Sequence, residues 1–388
     1  MIGTPRALLA VAALPVAALG VHVRRNLGAR RAELRRAAAG SVNAPDGTFA
    51  NREPGLPRPD VTLRQVATMV LRRRALGRPP GEIPLRRDTP GRAALAATWF
   101  GHASTLLEVD GRRVLVDPVW SRRTSPVPGF GPERLHEFAV AVDELGEIDV
   151  VLLSHDHYDH LDRATVTRLA RRTGAVFVAP LGVGAHLRAW GVAAARIVEA
   201  DWDDAVGVVG LTFTCLEARH FSGRGLRRNT TQWAAWKVAG PGHTVYVAGD
   251  TGPTTAHARA GAAHGPFDLT LMPVGAYADI WPDVHTTPEQ AVAGHVDLGG
   301  RVMLPVHWAT YALGFHPWDE PGERTLRAAA EHDVVLALPR PGERLDLTRP
   351  DDRGAPWWRD VRTRGRSWRR RFARLAPRDP SVSCRSRA

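Results

Sequence analysis

An α/β fold, with two mixed sheets packed face to face and helices on both outer sides, is what this sequence predicts: a four-layer αββα sandwich. Three observations lead there. A tight-turn signal, Asp110-Gly111, joins two apolar runs into a hairpin. After it, short β-branched runs alternate with stretches at helical spacing, the pattern of helices layered on sheets. Several of the apolar runs also end in a His or Asp, so the strands deliver polar groups to the place where loops meet.

The chain opens on Ala7–Val23, apolar apart from His22 and preceded by Arg6. That length sits near the lower limit for a spanning helix, about 17–25 residues, and is slightly long for a signal-peptide core. Arg24, Arg25, Arg30, Arg31, Arg35 and Arg36 follow at once, and such a flank is held in the cytoplasm. Residues 1–25 are therefore expected to be an uncleaved membrane anchor with the catalytic domain in the cytoplasm. Cleavage at Ala18-Leu19-Gly20 followed by export is the alternative. Residues 26–95 read as linker and N-terminal helical extension, with a helix over Val61–Leu76 ended by Arg78-Pro79-Pro80-Gly81.

The main domain is expected over 96–345. Thr98–Val109 and Arg113–Pro118 read as its first two strands. Asp117 either caps a turn or accepts a hydrogen bond from a ligand histidine and fixes its tautomer. A Pro- and Gly-rich loop runs from Ser121 to Glu137, then Ile148–Leu153 forms a buried strand. Helices over Arg163–Arg172 and Gly184–Trp190 flank a strand at Val176–Ala179, and Ile197–Glu199 adds a short strand. Val206–Val209, Leu211–Leu216, Thr231–Val238, Thr244–Gly249 and Asp268–Pro273 continue the strand series. Thr287 caps a helix with Pro288 in its first turn, and Val302–Val306 is a late strand. Residues 346–388 form a basic aromatic tail. Its Pro356-Trp357-Trp358-Arg359 and Trp368-Arg369-Arg370-Arg371-Phe372 suit a membrane surface, single-stranded nucleic acid or a disordered basic tail.

Composition bounds the function. With 388 residues, 44% hydrophobic and 24% charged, the chain is an ordinary globular protein and not a disordered one. Its net charge of +12 is almost all arginine, Lys237 being the one lysine. That bias, beside abundant Ala, Gly and Pro, points to a G+C-rich coding sequence, so the charge does not argue for nucleic acid. Cys215 and Cys384 are far apart in sequence, which excludes a disulfide framework and a cysteine-rich metal site.

The chemistry is declared at Ser154-His155-Asp156-His157-Tyr158-Asp159-His160-Leu161-Asp162, directly after the Ile148–Leu153 strand. In an extended stretch His155 and His157 point the same way, so one metal can take both, and Asp159 and His160 can face a second. Imidazole nitrogen and carboxylate oxygen are the usual zinc ligands. His220, Asp250 and His307 each end a later apolar run and supply the further ligands that two metals need.

His155, His157, Asp159, His160, His220, Asp250 and His307, in that order, resemble the metallo-β-lactamase superfamily. Thr98–Ser104, Val116–Ser121, Phe130–Arg134, Arg219–Arg224 and Leu304–Thr310 resemble its N-acyl-phosphatidylethanolamine phospholipase D-like branch, over roughly residues 50–345. The resemblance implies the αββα fold and two Zn2+ per chain, a site type that also admits Fe or Mn. His155, His157 and His220 would hold one ion, Asp159, His160 and His307 the other, and Asp250 would bridge. A hydroxide held between the ions would attack, with Asp159 orienting it. His285 would act as a catalytic and substrate-binding group, or simply be a loop histidine bonded to backbone, and Tyr158 and His102 would contact substrate. The implied activity is that of a phosphodiesterase acting on N-acyl phospholipids at a membrane surface. A lactonase or other hydrolase of soluble small molecules is the alternative, and nucleic acid is not expected as a partner.

Overall fold

The computed structural model describes residues 19–57, 59–89 and 91–363. The strands are β1 (Leu95–Gly101), β2 (Ser104–Val109), β3 (Arg112–Val116), β4 (Val150–Leu152), β5 (Val176–Pro180), β6 (Ile197–Ala200), β7 (Ala205–Val208), β8 (Leu211–Leu216), β9 (Ala235–Ala239), β10 (Thr244–Val247), β11 (Phe267–Pro273), β12 (Gly300–Val306) and β13 (Arg344–Asp346). The helices are α1 (Arg31–Ala38), α2 (Leu63–Leu76), α3 (Arg163–Arg172), α4 (Val183–Ala189), α5 (Ala256–His264), α6 (Pro288–Asp297), α7 (Glu320–Glu331) and α8 (Trp358–Thr363). One sheet has the order β13-β1-β2-β3-β4-β5-β6, the other β12-β11-β10-β9-β8-β7. Each is antiparallel in one half and parallel in the other. β3 to β6 run parallel in the first sheet, β10 to β12 in the second.

Strand alternation builds the layers. Val150 and Leu152 face the inter-sheet core with Phe213, Cys215, Trp236 and Leu269. Their neighbours Val151 and Leu153 face the other way, onto Val166 and Leu169 of α3 and Val183 and Leu187 of α4. On the second sheet, Ala291 and Val292 of α6 pack with Met303 of β12. The expected four-layer α/β architecture is thus present.

Three expectations need correction. Thr98–Val109 is not one strand: β1 ends at Gly101 and β2 restarts at Ser104. The break lies at Gly101 (φ +103°) and His102 (φ +53°), both left-handed. The stretch 231–234 is not strand; it runs past the metal loop, Ala234 N–H donating to Ser154 C=O at 2.9 Å, and β9 begins only at Ala235. The two tryptophans of the Pro356–Arg359 segment do not sit on the surface, although Arg359 does. Trp357 and Trp358 are buried and pack on Trp308 at ring-centroid distances of 5.5 and 5.0 Å. Two indoles remove more apolar surface from water inside the core than at an interface.

Residues before 96 also enter the body of the molecule: Ala38, Ala44, Phe49 and Ile83 belong to the main core. Residues 1–18 and 364–388, with most of the apolar N-terminal stretch and Trp368–Phe372, lie outside the described residues. Among the described residues, no helix is long and apolar enough to cross a membrane.

Candidate metal centre

Five segments converge where the parallel strands end. β4 leads into His155–His160, β8 into His220, β10 into Asp250, and β12 into His307; His102 enters from the β1–β2 turn. Their ligand-capable atoms form two groups of four: His155, His157, His220 and Asp250, and His102, Asp159, His160 and His307; Asp250 and His307 also form a third with His285. Within each, the atoms lie within 4.8 Å of one another. Asp250 joins the groups. Its Oδ2 is 3.6 Å from His220 Nε2, 3.8 Å from His155 Nε2 and 3.2 Å from His160 Nε2, while its Oδ1 is 3.1 Å from His307 Nε2. All of the side chains in the two groups of four except those of His157 and Asp159 are almost completely buried.

Outer contacts set which nitrogen of each ring faces inward. Asp117 accepts from His160 Nδ1 at 2.8 Å, from Ser154 N–H at 2.7 Å and from the Ser154 hydroxyl at 2.6 Å. The Ser154 oxygen in turn accepts from His155 Nδ1 at 2.9 Å. The Val284 carbonyl accepts from His220 Nδ1 at 3.1 Å. With Nδ1 thus committed as donor, Nε2 of His155, His160 and His220 offers its lone pair to the centre. Close backbone approach is needed as well. A Cβ on Gly249, whose φ is +60°, would lie 2.8 Å from both Ala234 O and Ser154 Cβ, so only glycine lets Asp250 reach in.

The donor set fits divalent cations. His160 Nε2, His307 Nε2, His285 Nδ1 and Asp250 Oδ1 are buried without a hydrogen-bond partner, which native interiors rarely tolerate. The centre also attracts positive charge. Burial opposes protonation of His307, but Asp250 and Asp159 push its pKa up to about 9. His160 is likewise raised well above the ordinary value, burial being outweighed by Asp250, Asp159 and Asp117. Burial, then His160 and His157, hold His155 well below its ordinary value, in the neutral form that ligates metal. Nitrogen and carboxylate donors without thiolate suit zinc and also iron or manganese.

The other sequence candidates take distinct places. His102 Nε2 lies 2.9 Å from Asp159 Oδ2 and its ring centroid is 4.0 Å from that of His307. It therefore stands with the second donor group and steadies Asp159. His285 lies against His220 and His307, ring centroids 5.2 and 5.0 Å away, with Nδ1 4.0 Å from Asp250 Oδ2. Tyr158 turns elsewhere: its hydroxyl donates to the Arg224 carbonyl at 2.7 Å.

Sequence reasoning missed two supports. Asn51 clasps the His220 backbone, accepting from its N–H at 3.0 Å and donating to its C=O at 2.9 Å. Asp156, between two ligand candidates, accepts from Gly223 N–H at 2.6 Å and lies 3.3 Å from His186 Nε2. No spacing signal marks Asn51, which is 169 residues from His220. Asp156 was legible only as a third acid inside the motif.

Residues 112–308 match the family described as Beta-lactamase superfamily domain. The chain belongs to the metallo-β-lactamase superfamily. An uncharacterized protein of Mycobacterium tuberculosis is 49% identical over 343 residues, covering 86% of this chain and 91% of that protein. The N-acyl-phosphatidylethanolamine-hydrolyzing phospholipase D 1 of Caenorhabditis elegans is 34% identical over 239 residues, 58% of this chain and 67% of that enzyme. The solved isothiocyanate hydrolase from Delia radicum gut bacteria shares the fold, with a TM-score of 0.52 at 19% identity over 65% of this chain and 98% of that one. Family, fold and donor set make this chain a metal-dependent hydrolase of the superfamily.

Proposed function

We propose that the chain is a dinuclear zinc phosphodiesterase of the phospholipase D type, acting on N-acyl phospholipids. One observation carries the dinuclear reading: Asp250 lies between the two donor groups, 3.6–3.8 Å from Nε2 of His220 and His155 and 3.1–3.2 Å from Nε2 of His307 and His160, where one carboxylate could serve both ions. Two zinc ions, when bound, supply a water whose pKa falls to about 7 and a clamp for charge on the attacked group.

The chain's own residues do the rest. His155, His157 and His220 would hold one ion, and His160, His307 and Asp159 the other. Asp159, steadied by His102, orients the attacking water through its carboxylate. His285 has a side chain 13% exposed and an unpartnered Nδ1. It offers a hydrogen bond to the phosphodiester or to the departing oxygen. Burial of most of the cluster strengthens each of these contacts.

The 34% identity to the C. elegans enzyme supports the substrate class. A relative in Saccharomyces cerevisiae bearing the same activity name, 27% identical over 241 residues, points the same way. The test is a panel of N-acyl phospholipid, bis-p-nitrophenyl phosphate and lactone substrates, run on the zinc-loaded chain. Turnover of both phosphodiesters is expected. Turnover of lactone alone overturns the phospholipid reading and leaves a soluble-substrate hydrolase.

A further inference from the structure

A second cavity, of about 360 Å3, lies beside the metal loop and shares none of the candidate metal ligands. That volume falls within the range of about 300–1,000 Å3 typical of small-molecule sites. Four arginines line it, Arg122, Arg123, Arg163 and Arg224. Arg122 and Arg123 share Glu133 at 2.9 Å each, and Arg122 also lies 3.7 Å from Glu137. Among the described residues neither Arg163 nor Arg224 is in an ion pair. The acid in the lining, Asp162, is occupied locally. It caps α3 through Ala164 and Thr165 N–H at 3.2 and 3.3 Å and accepts from the Ser121 hydroxyl at 2.8 Å. The cavity therefore holds surplus positive charge among hydroxyl and amide donors, the composition that recognises phosphate oxygens.

The walls are built, not incidental. Asn26 ties three of them: its side chain donates to Pro126 C=O at 3.2 Å and accepts from Arg163 Nε at 2.9 Å, and its backbone carbonyl accepts from Arg224 Nε at 3.0 Å. Arg224 is only 6% exposed. Its guanidinium lies 4.0 Å over the Tyr158 ring, and its Nη1 donates to Asp156 C=O and Leu161 C=O at 2.8 and 2.7 Å. The same arginine thus forms part of the cavity and brackets the metal loop. Apolar side chains close in sequence to the lining residues face solvent: Phe130, next to Gly129, at 72% exposed, and Leu19 and Val21 at 44% and 52% on the helical stretch that carries His22 and Asn26.

We infer that this cavity binds the phosphodiester of an anionic phospholipid headgroup, with the acyl chains leaving past Phe130, Leu19 and Val21. Phosphate is the shared chemistry, and free inorganic phosphate is the other source. The apolar rim and the anchor-like composition of the preceding residues favour the lipid. This inference is separate from the hydrolytic one, because binding is read without turnover.

The test is calorimetric titration of the zinc-loaded full chain, in a neutral maltoside detergent, with dihexanoyl-phosphatidylglycerol, dihexanoyl-phosphatidylcholine and inorganic phosphate. The glycerol lipid is expected to bind at least tenfold more tightly than the other two. The double variant R123Q/R163Q should lose at least tenfold in that affinity, with melting temperature and zinc content unchanged. R301Q, an exposed arginine paired with Asp268 at 3.0 Å and not part of the cavity, should bind as the parent does. Unchanged affinity in the double variant, or an equal loss in R301Q, overturns the site. Equally tight inorganic phosphate with the same arginine dependence overturns the lipid assignment, and so does equally tight choline lipid.

Discussion

Replacing Asp117 by Asn should weaken metal binding although Asp117 is not itself a ligand candidate. Its carboxylate, fully buried, takes three hydrogen bonds, from Ser154 N–H, the Ser154 hydroxyl and His160 Nδ1, all between 2.6 and 2.8 Å. An amide of the same shape offers a single acceptor oxygen. Its NH2 then meets either the backbone donor or His160 Nδ1. In the second case His160 must put its proton on Nε2, the atom 3.2 Å from Asp250, and the ligand lone pair is lost. Removing such an outer partner costs about 10–100-fold in metal affinity, or about 1.4–2.8 kcal/mol at 1.4 kcal/mol per decade. Equilibrium competition against a chromogenic zinc chelator, with metal content by elemental analysis, measures this directly. The ion held by Asp159, His160 and His307 should leave first, so dialysed D117N should retain one zinc where the parent retains two. Two zinc ions held with affinity within twofold of the parent would refute the tautomer reasoning.

Three further outcomes are expected. Asn51→Ala removes both bonds to the His220 backbone; it should cost about 1–3 kcal/mol for the groups left unsatisfied and release the other ion preferentially, seen by chelator titration and urea melts. Trp358→Ala should cost about 3–5 kcal/mol as a buried large-to-small change; a loss under 1 kcal/mol in urea would return this segment to the surface. Glu108 gives a pH effect: burial alone would raise its pKa, but Arg344 and the Ala93 and Gly91 amides hold it below the ordinary carboxylate value. A depressed folded-state pKa means the stabilisation is present above the unfolded value of about 4.3 and is lost as pH falls through the lower folded one. The urea midpoint of the parent should therefore fall more steeply than that of Glu108→Gln between pH 6 and pH 3, and parallel curves would count against it.

Much of the centre was legible because its signals are local. His155, His157, Asp159 and His160 share one loop, and His220, Asp250 and His307 each follow a strand whose apolar, β-branched run is readable by itself. Strand ends were less legible. The turn at Gly101-His102 lies inside a stretch that reads as one strand, and what breaks it is a left-handed backbone held by Thr310 Oγ1 accepting from His102 N–H at 2.7 Å. Trp357 and Trp358 carried the composition of a membrane-surface segment. Composition cannot say that Trp99 and Trp308 leave a place for them in the core.

From the sequence alone came the layered α/β class, the order of the ligand candidates and the nature of their donor atoms, because periodicity and residue type are properties of short stretches. Only the tertiary structure decided that Asp250 stands between two donor groups, that His102 joins the second, that Tyr158 turns to Arg224, and that Asn51 holds His220 from the N-terminal segment. Those are distances between residues far apart along the chain. They are set by which strands pair and which faces bury, and no local pattern contains them.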